Sequence, residues 1–505
     1  MLYDLEWLQV GQSFPPTVEL ERIRRYDENR RVFRVTHLDD GATEYYRDCC
    51  KRIERVVGNF EELISFPVIF AYQRLLSLKT ADLVCGEYPS IKSAKDQQTD
   101  TIQTMREEIS LDSQLYSTVL DVSALGDAVW RMYKDKETGK GRFTVWDPRG
   151  WFPIVKNDGT NQIMHHVLCW STNVGTKDAP RWNLTVQIHS KGSYEQRVYD
   201  TGTSGTEILA LISSTPGILT GLEDFAVINL RAFHASDTVY GQDDYTQIDS
   251  IVSEIMVRIG QISKILDKHA DPAMTGPVSM LTTDENTGRT YLKTGSFYAI
   301  SPGETPPTYL TWEGQLEAAF KELELLLQQL YILSEMGSAL LDAAMGTSQA
   351  ISGTAMRFKM VNPLVKARRI TNAMTLPLKR LIKAVSSLGY GKIEINDLSV
   401  QWKDGLPNDP REVAELVRLL TGATQIETLE NALQTYYDKS AEDAKKIIEG
   451  ILAEKQKNMS LLNPPGEAES APDEGGMPSG ARKGSDTGLN DFSGIRNKNP
   501  ADSGR

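Results

Sequence analysis

The stretch Asp243–His269 reads DDYTQIDSIVSEIMVRIGQISKILDKH. Ile248, Val252, Ile255, Ile259, Ile262 and Leu266 advance by 4, 3, 4, 3 and 4 residues. That step is a seven-residue apolar repeat along one face of a helix. About 27 residues at ~1.5 Å rise give a helix of ~40 Å. Pro272, Gly276 and Pro277 stop it. A short β-rich insert follows: Val278 to Thr283, the turn Asp284 to Gly288, then Arg289 to Lys293 and Phe297 to Ile300. Gly303 to Pro307 closes it. A second long helix is expected from Thr311, where Leu316, Phe320, Leu323, Leu327 and Leu330 repeat the same step. Two long helices therefore flank a small β module. Such spacing is commonly core packing, and on both arms of one insert it also fits packing into an assembly.

Upstream of this arm, the chain to about Asp112 reads as largely helical, with Pro67, Gly86 and Pro89 as punctuation. Leu115 to Tyr133 continues as helix and then strand. Val129–Tyr133 and Gly141–Trp146 alternate around the turn cluster Asp135–Gly139, the pattern of a β-hairpin. Asp147–Gly150 ends the second strand. Trp151–Ile154, Ile163–Ser171 and Trp182–His189 extend a β-rich region to about Leu230.

Downstream lies the small-residue segment 343–354, including Gly346, Thr347, Ser348, Gln349, Ala350 and Ile351. A third long helical pattern runs on to Leu388. Pro363 and Pro377 lie inside it, and each is expected to kink or break it. Lys392–Trp402 alternates as a strand, and Pro410–Met459 reads as helical. From about Asn463 the chain is rich in Gly, Pro, Ser, Asp and Glu, too polar to bury a core. The fold class is therefore α+β, with two long helices, a small β insert and a disordered C-terminal tail.

The 505 residues carry 55 Lys and Arg against 68 Asp and Glu, a formal net charge of −13. A general nucleic-acid coat would be basic over its surface, so that class is disfavoured. One segment reverses the sign. From Ala343 to Ile393 there is no Asp or Glu, but there are Arg357, Lys359, Lys366, Arg368, Arg369, Lys379, Arg380, Lys383 and Lys392. Two readings stay open: a solvated helix face pairing with acidic neighbours, or a contact for a polyanion or an acidic subunit.

The four cysteines, Cys49, Cys50, Cys85 and Cys169, do not form a disulfide framework. Reduced thiols in an intracellular protein are expected. Met1–Trp7 carries Asp4 and Glu6 rather than a basic start and an apolar run, and no run of ~18 apolar residues occurs. No leader and no membrane span are expected. The phosphate-loop, H-E-x-x-H, C-x-x-C and G-x-S-x-G patterns are absent. His165 and His166 are adjacent in a strand pattern, where successive side chains face opposite ways, so a shared metal is not expected. No cofactor and no enzyme activity are anticipated.

Several strings, in their order over roughly residues 60–455, resemble the portal proteins of tailed bacteriophages, closest to the siphophage type of Gram-positive hosts. Phe70–Arg74 followed by Ala81–Pro89 resembles the family's early helix ending in a Gly-x-x-Pro turn. Ala124–Ala128 with Trp146–Pro148 resembles its wing hairpin. Ile351–Arg357 resembles its Ser-Gly motif before a kinked helix. Leu406–Asp409 with Gly422–Thr428 and Asp443 resembles its C-terminal pattern, with Gln425 where the family usually has Ser.

The resemblance implies a portal-type subunit in a dodecameric ring at one capsid vertex, the conduit for DNA packaging and ejection. It implies a wing over 1–240, a stem helix over 241–271, a clip over 272–310 and a second stem helix over 311–342. A tunnel loop would span 343–354, a kinked helix and wing strand 355–405, a crown 406–457 and a tail 458–505. Gly346, Thr347, Ser348, Gln349, Ala350 and Ile351 would face passing double-stranded DNA. Arg357, Lys359, Lys366, Arg368 and Arg369 would form the basic kinked helix. Ile248, Val252, Ile255, Ile259, Leu316, Leu323, Leu327 and Leu330 would pack the stem. Implied partners are other copies of the chain, the terminase large subunit, head-completion or adaptor proteins, and major capsid and scaffolding proteins. The location would be the virion, and the host cytoplasm during assembly. A ~40 Å stem passes on the order of 24 phosphates at one charge per ~1.7 Å, so an acidic chain with small loop residues suits passage better than a uniformly basic pore. The alternative is a capsid-associated minor head or adaptor protein without a DNA channel.

Overall fold

The computed structural model describes residues 1–34, 69–233, 235–270, 274–275, 281–283, 290–292, 303, 308–309, 316–337, 358–403, 410–422, 426–437 and 441–462. The described chain mixes helix and sheet, as expected for α+β. It divides into two compact units, Met1–Pro407 and Asn408–Arg505.

The larger unit opens with α1 (Leu20–Phe33), α2 (Tyr72–Cys85), strand β1 (Ser90–Ser93), α3 (Asp96–Glu108) and α4 (Leu111–Leu125). Gly126 then turns the chain with φ +85°, a left-handed value that favours glycine. A Cβ there would lie 2.7 Å from the backbone of Gly241, so the site also needs the missing side chain.

The expected hairpin follows as β2 (Asp127–Lys134) and β3 (Gly141–Trp146), with Val129 opposite Trp146. A five-stranded antiparallel meander comes next: β4 (Trp151–Val155), β5 (Ile163–Asn173), β6 (Trp182–Ser190), β7 (Ser193–Asp200) and β8 (Ala210–Leu219). Strand β9 (Val227–Arg231) returns to pair with β2, completing the order β3-β2-β9.

Helix α5 (Asp249–Ala270), short strands β10 (Met274–Thr275), β11 (Leu281–Thr283), β12 (Thr290–Leu292) and β13 (Thr308–Tyr309), and helix α6 (Leu316–Leu333) form the arm. β10 pairs with β13 and β11 with β12. Helix α7 (Val361–Ser387) and strand β14 (Leu398–Gln401) finish the unit. The second unit holds α8 (Pro410–Thr421), α9 (Leu429–Tyr436) and α10 (Ala441–Leu462).

The main core gathers α2, α4, the start of α5, α7 and one face of the β3-β2-β9 sheet. Trp130 lies in it fully buried, its Nε1–H donating to Thr118 Oγ1 at 2.8 Å. A smaller core sits on the five-stranded sheet under Leu2, Trp7 and Leu8.

Helix α1 docks through polar groups. Arg22 is buried, with Nε donating to Glu19 Oε2 at 2.6 Å. Its other nitrogens reach the carbonyls of Pro148 and Trp151, both at 3.0 Å, and its guanidinium lies 4.5 Å from the Tyr240 ring centroid. One helical turn on, Tyr26 donates to Asp127 Oδ2. Arg30 pairs with Asp121 at 2.7 Å.

Several expectations change. Asp243 lies before its helix rather than inside it. Its Oδ1 accepts from the backbone N–H of Tyr245 and Thr246 at 3.0 and 2.7 Å, a local turn that delays α5 to Asp249. α6 is described from Leu316; the expected start near Thr311 lies outside the described residues. Pro363 is the third residue of α7, where no intrahelical N–H bond is due, so it interrupts nothing. Pro377 is internal, and the helix runs through it. Lys392–Trp402 is a strand only over Leu398–Gln401, after a 3-10 turn at Ile395–Asp397. The described residues of 410–459 are helical as expected, in α8, α9 and α10, and the Thr428 hydroxyl caps α9 by accepting from Asn431 N. Strand β1, unanticipated, exists because β14 pairs with it across the chain.

Asp127 is fully buried, and burial raises its carboxyl pKa to about 6. A raised carboxyl contributes stability below its unfolded value near 4 and loses it as pH rises through about 6. Asp127→Asn can still accept from Gly241 N while its amide faces Tyr26 Oη. The melting temperature of Asp127→Asn relative to wild type should therefore rise between pH 4.5 and 7, checked by calorimetry across that range; a constant offset would assign Asp127 an ordinary pKa.

Candidate functional site

The candidate site is the two-helix arm and the helix that receives it. At the base of α5, Ile248, Val252 and Ile255 are buried in the main core, and Ile259 packs on its edge. At the far end of α6, Leu330 is buried in the same core, with Leu323 and Leu327 partly buried against it. The start of one helix and the end of the other thus share a root, so the helices run in opposite directions. Arg258 joins them: Nη2 lies 2.8 Å from Glu322 Oε1 while Nε lies 3.1 Å from Glu254 on its own helix.

The seven-residue repeat describes only part of this. Around the first turns of α5, Val252 through Val257 are all buried, so the helix is enclosed rather than lying on one face. By Leu266 the side chain is half exposed. On α6 the inward row is Leu323, Leu326, Leu327 and Leu330. A second apolar row faces outward: Leu325 is 56% exposed and Ile332 63%. Phe320, expected in the packed row, is exposed too. Leu316 opens α6.

The root is polar at its centre. Lys366 of α7 is 3% exposed, and its ammonium lies 2.8 Å from Asp244 Oδ1 and donates to the Ser334 carbonyl at 3.2 Å. Asp244 precedes α5, and Ser334 follows α6. Asp244 Oδ2 accepts from Ser123 Oγ of α4 at 2.6 Å. Ser123 and Ser77 hydroxyls lie 3.0 Å apart, and Ser77 meets Tyr245 Oη at 2.8 Å. Burial pushes the Tyr245 phenol above its ordinary pKa. One residue past Ser334, Glu335 takes φ +58°, a left-handed value uncommon outside glycine and asparagine, and its carboxylate accepts from Arg369 Nη2 at 3.0 and 3.1 Å.

The acid-free segment is therefore not a free cationic stripe. Lys366 and Arg369 meet Asp244 and Glu335. Lys383 lies 3.5 Å from both Glu223 and Glu394, and Lys392 lies 3.2 Å from Glu394. Lys359, Arg368, Lys379 and Arg380 have no carboxylate partner among the described residues. Arg357 and the segment Gly346, Thr347, Ser348, Gln349, Ala350 and Ile351 lie outside the described residues.

No protein-family model matches the chain, and no curated protein matches it either. No described helix is long and apolar enough to cross a membrane, and no group of three or more His, Cys, Asp or Glu among the described residues is placed to hold a metal ion. The adjacent histidines take separate partners: His166 Nδ1 accepts from Trp151 Nε1, and His165 Nδ1 meets Ser190 Oγ. Cys85 and Cys169 are buried, and burial raises both thiols. Cys49 and Cys50 lie outside the described residues.

Sequence reasoning missed Asp244, Ser334 and the outward row of α6. A signal existed for the first: Lys366 falls between Pro363 and Ile370 on the apolar stripe of α7, and a lysine there needs a buried acid. Lys366→Met should leave Asp244 unpaired and cost about 3 kcal/mol of unfolding free energy, with much of that loss recovered in the Lys366→Met/Asp244→Asn double variant. Urea denaturation of the four forms checks the coupling; additive effects would show that the pair does not interact.

Proposed function

We propose that this chain is the subunit of a phage-type portal ring, a conduit for double-stranded DNA at a capsid vertex. The observation that carries this reading is the arm: two antiparallel helices, paired strands between them, and a root shared with a long helix drawn from the acid-free segment. Such a subunit has two uses for its parts. The paired strands β10–β13 fall between the two helices in the chain, where a motor and later head-completion proteins would dock. The helix α7 and the segment before it come from the longest stretch of sequence without Asp or Glu, and Lys359, Arg368, Lys379 and Arg380 there keep no carboxylate partner among the described residues, a sparse attraction for DNA phosphates.

The exposed apolar residues support assembly. Leu325 and Ile332 on α6, and Phe358, Val361, Val365 and Leu376 on or beside α7, stay uncovered in one copy. Burying the exposed part of each such side chain is worth about 1–2 kcal/mol, and rows of them along two helices suit a surface that a second copy would cover. A head-to-tail contact between unlike surfaces repeats around an axis and closes into a ring. In this reading the sequence contains no nucleotide motor, and a separate terminase drives DNA through the ring.

The test is oligomeric. Native mass spectrometry and negative-stain imaging of the purified protein should give a closed ring with a central hole. A poreless bundle would instead favour the minor head or adaptor reading. Leu325→Glu with Ile332→Lys should abolish the ring yet leave the subunit folded, because both side chains already face solvent in the single copy. Leu323→Asp should instead lower subunit stability, since Leu323 packs against its own core. Intact rings from the outward double variant would remove α6 from the subunit contact.

A further inference from the structure

A cavity of about 540 Å³ opens between the second half of α7 and the segment leading into β9. It lies apart from the arm root, and its size falls within the range of small-molecule sites. Its apolar wall comes from Met132, Leu222, Phe225, Ile228, Pro377 and Ala384. His166 completes that wall, its ring 5.0 Å from Phe225 in an edge-to-face arrangement. Burial lowers the His166 pKa to about 3, so the ring is neutral at pH 7. Its Nδ1 accepts from the Trp151 indole, so its one proton sits on Nε2.

The rest of the lining is charged. Arg380, Lys383, Lys392 and Lys191 bring four cations, and Glu223 and Asp224 bring two carboxylates. Lys383 and Lys392 share Glu223 and Glu394 at 3.2–3.6 Å, and Lys191 stands 3.9 Å from Asp224. Arg380 is exposed and has no carboxylate partner among the described residues. Glu223 and Asp224 are also largely exposed, so each is free to accept hydrogen bonds from a ligand while its lysine remains near.

We propose that this cavity binds a 5′-nucleoside monophosphate group. The base covers the Phe225 and His166 wall, the sugar hydroxyls donate to Glu223 or Asp224, and the phosphate meets Arg380 with Lys383. Each part is needed to use the whole lining. An inorganic anion leaves the apolar wall bare, and an apolar ligand leaves the guanidinium unmatched. Arg presents a planar fork suited to phosphate oxygens. The cavity is built within one chain, so the inference stands without ring assembly.

Titration calorimetry on the full-length protein tests it, with AMP, adenosine and inorganic phosphate as probes. AMP should bind saturably, about one per chain. Adenosine and phosphate should each bind at least about tenfold more weakly, a ~1.4 kcal/mol difference. Arg380→Gln should weaken AMP about tenfold with an unchanged melting temperature. Phe225→Ala should weaken AMP while leaving phosphate as it was. Competition separates two sources of the same group: a duplex with 5′-phosphate ends that displaces AMP, where the unphosphorylated duplex does not, identifies a DNA terminus, and failure of both identifies the free nucleotide. No saturable AMP binding at millimolar concentration, or binding indifferent to both substitutions, overturns the proposal.

Discussion

An ammonium group taken out of water has to be matched by charge and hydrogen bonds, and Lys366 meets that requirement by holding three segments together. Its partners are Asp244 before the outgoing helix of the arm and the Ser334 carbonyl after the returning one. Lys366 itself belongs to α7. Neither helix of the arm can swing at its root without stripping a buried charge of a partner, a loss of several kcal/mol. Beside it, Arg369 and Glu335 repeat the connection between α7 and the end of α6 nearer the surface. The direction of the arm is thus set by electrostatics at its base, while its length is set by the apolar repeat.

The same logic holds at the N-terminal helix. α1 offers little apolar surface, and its buried side chains are Arg22, Tyr26, Asn29 and Val32. Arg22 is held by one carboxylate, two carbonyls and an aromatic face; Tyr26 and Arg30 take Asp127 and Asp121. These acids sit on α4 and β2, whose other faces build the main core. Polar docking is exacting in geometry, because each buried group needs its own partner. It fixes α1 in one register where a greasy stripe of similar size would tolerate sliding.

Local patterns were legible where short-range chemistry decides them. The hairpin of β2 and β3 follows from alternation around Asp135–Gly139, and Gly139 takes the left-handed conformation that such turns favour. The existence of both arm helices and of paired strands between them also follows from periodicity and turn residues. Features set by distant partners were not legible. Ser90–Ser93 has no strand signal of its own and is extended because Leu398–Gln401 lies beside it. A heptad pattern names a face but not what covers it: Leu323 and Leu325 are two residues apart, and one packs inward while the other meets solvent. Proline was read by type rather than by place, and Pro363 in the first turn of α7 has no hydrogen bond to lose.

The charge pattern shows the same limit most sharply. Along the chain, residues 343–393 contain only cations among their ionised side chains. In space, Asp244, Glu335 and Glu223 are brought to that segment from three other places, Glu394 follows it directly, and together they neutralise much of it. Among the described residues, what remains is a sparse set, Lys359, Arg368, Lys379 and Arg380, rather than a continuous band. For a surface past which a polyanion has to move, sparseness is an advantage. Each phosphate neutralised adds affinity through counterion release, so a dense cationic row deepens the well at every register and raises the barrier between registers. A row already half neutralised by its own fold keeps a weak attraction and lets contacts exchange. If the chain is a portal subunit, as proposed, these acids weaken the hold on DNA and so favour its movement rather than oppose it.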